Sequence, residues 1–173
     1  RQRQMCIRDR PYIAVERLEH AGQTAGKTAW MFKDNISSWT WKGFEGTTAN
    51  VDVYSSGDEV ELFLNDKSLG RKPAGRENHF TASYEVPYEP GTLKAVAYQK
   101  DRKLGEYVLS TAKSITKLKV CRVTENERNI AYIKIWLVDD NGTINSQEAE
   151  KRLLHASVVG KNVLEGFGTA NPS

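Results

Sequence analysis

VDVYSSGDEVELFLNDKSLGRK, residues 51–72, decides the fold. Val51 and Val53 alternate with Asp52 and Tyr54. After a Ser-Gly-Asp turn at 56–58, Val60, Leu62 and Leu64 alternate with Glu59, Glu61 and Phe63. A period of two with one apolar face is what a half-buried antiparallel strand requires. Asn65-Asp66 is a two-residue turn candidate, and 67–72 is its return strand.

The same pattern extends in both directions. YIAVERL (12–18) is a short apolar-rich run. HFTASYEV (79–86) is a strand ended by Pro87. TLKAVAYQK (92–100) points Leu93, Ala95 and Ala97 inward and Lys94, Val96 and Tyr98 outward. KLGEYVLST (103–111) returns across a polar turn at 100–102. Past Thr111 the pattern restarts with SITKLKVCRV (114–123) and NIAYIKIWLVDDNG (129–142), the strongest strand signal in the chain. Asp-Asn-Gly at its end tolerates the positive φ of a tight turn. SQEAEKRLL (146–154) is polar and helix-compatible.

Many short strands with closely spaced turn signals predict an all-β protein of two consecutive β-sandwich domains. The expected organisation is a linker with a Trp-rich docking segment over 11–48, a first sandwich over 49–113 and a second over 114–173. The second offers four or five strands where about seven are needed. It is therefore expected to be truncated at its C-terminus, with an unpaired sheet edge.

Composition narrows the function classes. The chain has 173 residues, 39% hydrophobic and 27% charged, which suits one or two folded domains. No apolar run is long enough for a membrane-spanning helix. Residues 1–10, RQRQMCIRDR, carry four arginines and one aspartate with no apolar region behind them, unlike a signal peptide. MCIRDR resembles translated adapter sequence, and 1–10 is read as non-native. Setting it aside from 25 basic and 22 acidic residues leaves 21 of each. The basic excess that would favour nucleic acid or an anionic membrane disappears. Of two cysteines, Cys6 falls in that segment. Cys121 reads as a small buried apolar residue, not half of a disulfide.

No chemistry-bearing motif is complete. AGQTAGKT (21–28) has three residues between Gly22 and Gly26 where a phosphate loop needs four, and no helix pattern follows. His20, His79 and His155 lack metal-ligand spacing. Asp139-Asp140-Asn141-Gly142 lacks a twelve-residue calcium loop and reads as a hairpin turn. Glu59 and Glu61 share a strand face and read as a solvated surface, not a carboxylate pair. No metal, cofactor or catalytic residue is expected.

The aromatics stand apart. Trp30, Trp39, Trp41 and Phe44, with Glu45 beside them, cluster ahead of the first strand pair. A tryptophan offers a flat apolar face and one N–H donor, which suits a sugar face or a protein interface. These five residues are the candidates for sugar binding or for docking.

The motifs also carry a resemblance. PYIAVERLEHAG, then Trp30…Trp39-Thr-Trp41-Lys-Gly43-Phe-Glu45-Gly46, then VDVYSSGDEVELFLNDKSLGRK and YEVPYEPGTLKAVAY resemble the C-terminal region of bacterial glycoside hydrolase family 2 enzymes. Among these, β-galactosidases are nearest in appearance. The resemblance covers about 11–112, and IAYIKIWLVDDNG with VVGKNVLEGFGTANPS is similar to the next immunoglobulin-like domain of such enzymes. The family usually has Asn-Gly where this chain has Asn65-Asp66. The resemblance implies an upstream barrel with two catalytic glutamates of a retaining mechanism, none of them among these residues. It thus implies a non-catalytic region bracing the barrel, its partner within one bacterial polypeptide. Two other readings stand beside it: a free-standing carbohydrate-binding module using Trp39 and Trp41, and a structural tandem of immunoglobulin-like domains. A flat, exposed tryptophan pair would favour sugar stacking; a buried pair would favour docking. Compartment and sugar specificity are not written in these residues.

Overall fold

The computed structural model describes residues 10–20, 34–113, 116–124, 131–145, 154–161 and 163–168. Trp30 and the AGQTAGKT loop lie outside the described residues, as does most of the helix-compatible stretch at 146–154. No α-helix occurs among those described.

The first unit is a sandwich of two four-stranded antiparallel sheets. One contains β1 (Tyr12–Glu16), β2 (Asn35–Ile36), β3 (Thr48–Tyr54) and β6 (Thr81–Pro87), in the order β2-β1-β3-β6. The other contains β4 (Glu59–Leu64), β5 (Lys67–Pro73), β7 (Thr92–Gln99) and β8 (Arg102–Ser110), in the order β5-β4-β7-β8. The alternation seen in 51–72 sets the interior. Val51, Val53, Val60, Leu62 and Leu64 are buried, and Ile13, Val15, Ala82, Val86, Leu93 and Ala95 join them. Each large aliphatic side chain removed from water contributes about 1.5–3 kcal/mol, opposed by the entropy of ordering the chain.

Ser55–Asp58 is not a hairpin turn. β3 pairs with β1 and β6, whereas β4 pairs with β5 and β7. The segment is a corner carrying the chain from one sheet to the other. Asp58 N–H donates to the Tyr98 carbonyl at 2.8 Å, and Ser55 Oγ accepts from Gly57 N–H at 3.0 Å. Gly57 is required there, because a Cβ would sit 2.5 Å from the Tyr98 carbonyl oxygen.

Two tight turns close the second sheet. Asn65 and Asp66 have φ of 49° and 63°, and Lys100 and Asp101 have the same values. Positive φ at both central residues marks the type I′ turn, whose twist matches the flanking strands. The two sheets are joined by Tyr84, whose hydroxyl donates to the Val60 carbonyl at 2.7 Å. Burial pushes the Tyr84 hydroxyl pKa up to about 12.

Three sequence expectations are corrected. Residues 11–48 are not a linker. β1 pairs with β3 from Tyr12↔Tyr54 to Val15↔Val51, so this stretch supplies half of the first sheet. Val96, expected outward, is 5% exposed: it lies on a central strand between Glu61 and Glu106, whose side chains flank it. Cys121, expected buried, is exposed.

Cys121 belongs to the second unit, described here as β9 (Lys117–Thr124) paired antiparallel with β10 (Ala131–Val138). Leu118, Val120, Tyr132 and Ile133 are exposed along this ribbon. Only its base is enclosed, where Val138 is 2% and Asp139 0% exposed. The Asp139 carboxylate accepts from the backbone N–H of Lys113 at 3.0 Å, Asn141 at 2.9 Å and Thr143 at 2.8 Å. The DDNG turn is thus a hydrogen-bonded clasp onto the chain leaving β8.

Candidate functional site

The segment between β2 and β3 closes one end of the first sandwich. Trp39 and Trp41 are both 0% exposed and belong to its core. Trp39 Nε1–H donates to the Glu89 carbonyl at 3.0 Å, and its ring meets Tyr88 edge-on, with centroids 5.0 Å apart. Trp41 N–H donates to the Tyr88 hydroxyl at 3.0 Å. Tyr88 in turn exchanges backbone bonds with its neighbours: its carbonyl accepts from Gly46 N–H and its N–H donates to Thr47, each at 2.8 Å. The exit of β8 is tied to the same plug. Thr111 Oγ1 donates to the Trp39 carbonyl at 2.7 Å, and Ala112 N–H donates to Thr40 Oγ1 at 2.9 Å.

This geometry corrects the reading of Trp39 and Trp41 as a sugar-stacking pair, and it corrects the criterion that burial would favour docking, because both rings are enclosed in this sandwich's own core. A ring without exposed surface presents no face to a sugar or to a neighbouring domain. Residues 38–41 form no strand, and Ser38 and Thr40 are buried along with both rings. Phe44 is half-buried against the same core. Glu45 is exposed, and its carboxylate accepts from Gly43 N–H at 3.1–3.2 Å, holding its own turn. Trp30 lies outside the described residues. The sequence signal for this plug was Tyr88 itself, in YEVPYEPG, which the sequence reading left without a role.

The outer faces differ in kind. On the β4–β7 sheet each aromatic carries its own cation. The Arg71 guanidinium lies 3.9 Å from the Tyr98 ring centroid and Lys94 Nζ 5.0 Å from that of Phe63. Arg71 also pairs with Glu59 at 3.1 Å and Asp101 at 2.9 Å. Glu61 accepts from Ser68 Oγ at 2.7 Å and from the Tyr98 hydroxyl at 3.3 Å. Glu59 and Glu61 are therefore engaged surface carboxylates, without a cleft between them.

The outer face of the β1–β3–β6 sheet is concave and polar, enclosing about 500 Å³. Asp52, 5% exposed, accepts from Ser83 Oγ at 2.6 Å and from Asn35 Nδ2 at 3.1 Å. Asn50 Nδ2 donates to Glu16 at 2.7 Å. Lys72 reaches over from β5, donating to the Ser83 carbonyl at 2.7 Å. No group of three or more metal-ligating side chains occurs among the described residues.

The chain has recognisable relatives. Residues 46–105 match a family described as "Domain of unknown function (DUF4982)". The chain is 46% identical over 86 residues to a Formosa agariphila protein named "Putative beta-glucuronidase", covering 49% of this chain and 8% of that one. It is 28% identical over 141 residues to a β-galactosidase of Bacteroides ovatus, covering 78% and 16%. Among solved structures, a glycosyl hydrolase family 2 member from Bacteroides cellulosilyticus superimposes with a TM-score of 0.63 at 32% identity, covering 78% of this chain and 18% of that one. The chain thus spans less than a fifth of each of these proteins. The likenesses bear out the resemblance seen in the motifs, in both family and β-sandwich fold.

Proposed function

We propose that this chain, homologous to a stretch of glycoside hydrolase family 2 proteins, is a non-catalytic β-sandwich region of such an enzyme. It braces a catalytic barrel elsewhere in the same polypeptide. The reaction there is retaining hydrolysis of a β-linked sugar, in the manner of the β-galactosidases and β-glucuronidases it resembles. The observation that carries this reading is the match of 78% of the chain to only 18% of a family 2 structure, at 32% identity. Glu59 and Glu61 are held by surface partners, and Asp52 is engaged by Ser83 and Asn35.

Bracing is tested in the parent enzyme. Deleting the region should shorten the half-life of activity at elevated temperature. The purified chain should leave chromogenic β-galactosides and β-glucuronides unhydrolysed. Turnover by the chain alone, or an unchanged half-life in the deletion variant, would overturn the proposal.

A further inference from the structure

The strand register lays out the outer face of the β1–β3–β6 sheet as a grid. Ala14, Asp52 and Ser83 form one row across the three strands, and Tyr12, Tyr54 and Thr81 the next. On the other side, Asn50 pairs with Glu85. Residues two apart share a face, so Asn50, Asp52 and Tyr54 project together along β3. Tyr54 is 42% exposed. It lines a second concavity that shares Asp52, Lys72 and Ser83 with the first. Tyr12 turns aside, its ring 5.5 Å from that of Tyr107. Tyr54 is therefore the aromatic beside a continuous polar trough.

We propose that this trough binds a neutral oligosaccharide, with Tyr54 stacking on a sugar ring and the exposed Asn50, Ser83 and Glu85 side chains meeting its hydroxyls. The lining mixes amide, hydroxyl and carboxylate groups, which donate to and accept from vicinal hydroxyls. Charge selects the ligand class. Glu16, Asp52 and Glu85 face a single cation, Lys72, among the lining residues, so a uronate or sulfated glycan is repelled. The trough is open and Tyr54 is its exposed aromatic, Tyr84 being buried beneath Lys72, which suits a solvated chain of sugars. A protein partner would need a fully desolvated apolar centre, whereas the exposed lining of the trough is polar apart from Tyr54 and Pro73. The opposite sheet supplies the contrast: its tyrosine is already capped by Arg71.

The test uses the full 173-residue chain in affinity electrophoresis through gels containing neutral galactan, neutral β-glucan or polygalacturonate. Retardation is expected in at least one neutral gel and not in polygalacturonate. Tyr54→Ala should weaken retardation about tenfold, the loss of roughly one aromatic contact, while Tyr54→Phe should retain most of it. Asn50→Ala provides a second variant, and circular dichroism checks that each remains folded. No retardation in either neutral gel, equal retention in polygalacturonate, or unaltered binding by both alanine variants overturns the proposal. So does hydrogen exchange on the parent enzyme if it shows β3 and β6 shielded by the catalytic domain. A chain that binds no glycan leaves the bracing reading intact, because bracing is read from the parent's thermal stability.

Discussion

Trp41 and Tyr88 are joined across 47 residues by one buried hydrogen bond, backbone N–H to phenolic hydroxyl at 3.0 Å. Tyr88 is 0% exposed, as is Trp41. Removing the hydroxyl leaves a buried donor without its acceptor. Tyr88→Phe should therefore lower unfolding free energy by about 1–3 kcal/mol, read as a lower urea midpoint at unchanged slope. An unchanged midpoint would mean that this bond does not hold the plug.

Trp39 gives the larger effect. Trp39→Ala empties a fully buried site and should cost about 3–5 kcal/mol. Trp39→Phe keeps a ring against Tyr88 but drops the Nε1 bond to the Glu89 carbonyl, and should fall between wild type and alanine. Thermal denaturation separates the three proteins. A stable Trp39→Ala protein would reopen the surface-platform reading, because only an exposed ring can be deleted without loss of stability.

Asp66 has φ of 63° in a type I′ turn, where glycine carries no Cβ penalty. Its pairing with Lys94 at 3.2 Å is 89% exposed on the aspartate side and contributes little. Asp66→Gly should stabilise the sandwich by about 0.5–1 kcal/mol, the left-handed strain relieved less the added chain entropy of glycine. A lowered melting temperature would contradict this account.

Asp139 sets a pH dependence. The backbone N–H of Lys113 leads the donors that hold its carboxyl below the usual carboxylate range, with Thr143 and Asn141 adding to it. A depressed folded-state pKa means stability that is present above the ordinary carboxylate pKa and lost as pH falls through the folded value. The clasp between the β8 exit and the β9–β10 ribbon should therefore open only in acid. Amide hydrogen exchange at Lys113 reads it: protection at neutral pH, falling below the usual carboxylate range once intrinsic exchange rates are corrected. In Asp139→Ala the amide should be unprotected throughout. Protection of Lys113 in that variant would place the clasp elsewhere.

How far the sequence could be read depends on the range of the interaction. The alternation in 59–64 made β4 legible, and the polar residues at 65–66 and 100–102 made both turns legible, though not their type, because each signal lies within a few residues. The Ser-Gly-Asp signal at 56–58 was legible as a turn but not as a corner between sheets. Local chemistry sets a change of direction; the partner strand sets where the chain goes. Cys121 and Tyr132 were strand residues by pattern, yet their exposure depends on what packs against the ribbon.

By itself, the sequence determined an all-β chain, the positions of its strands and tight turns, and its kinship with family 2 glycoside hydrolases. Those rest on short-range periodicity and on the order of motifs. Tertiary structure alone decided the fate of Trp39 and Trp41. Two tryptophans in a Ser- and Gly-containing segment suit a surface or an interior equally well. Contacts with Tyr88, Glu89 and Thr111, some 47–72 residues away, placed them inside. Burial is a property of the assembled sandwich, because it depends on which distant side chains fill the space around a ring. The same assembly left Tyr54 on the outer face, beside Asp52 and Ser83.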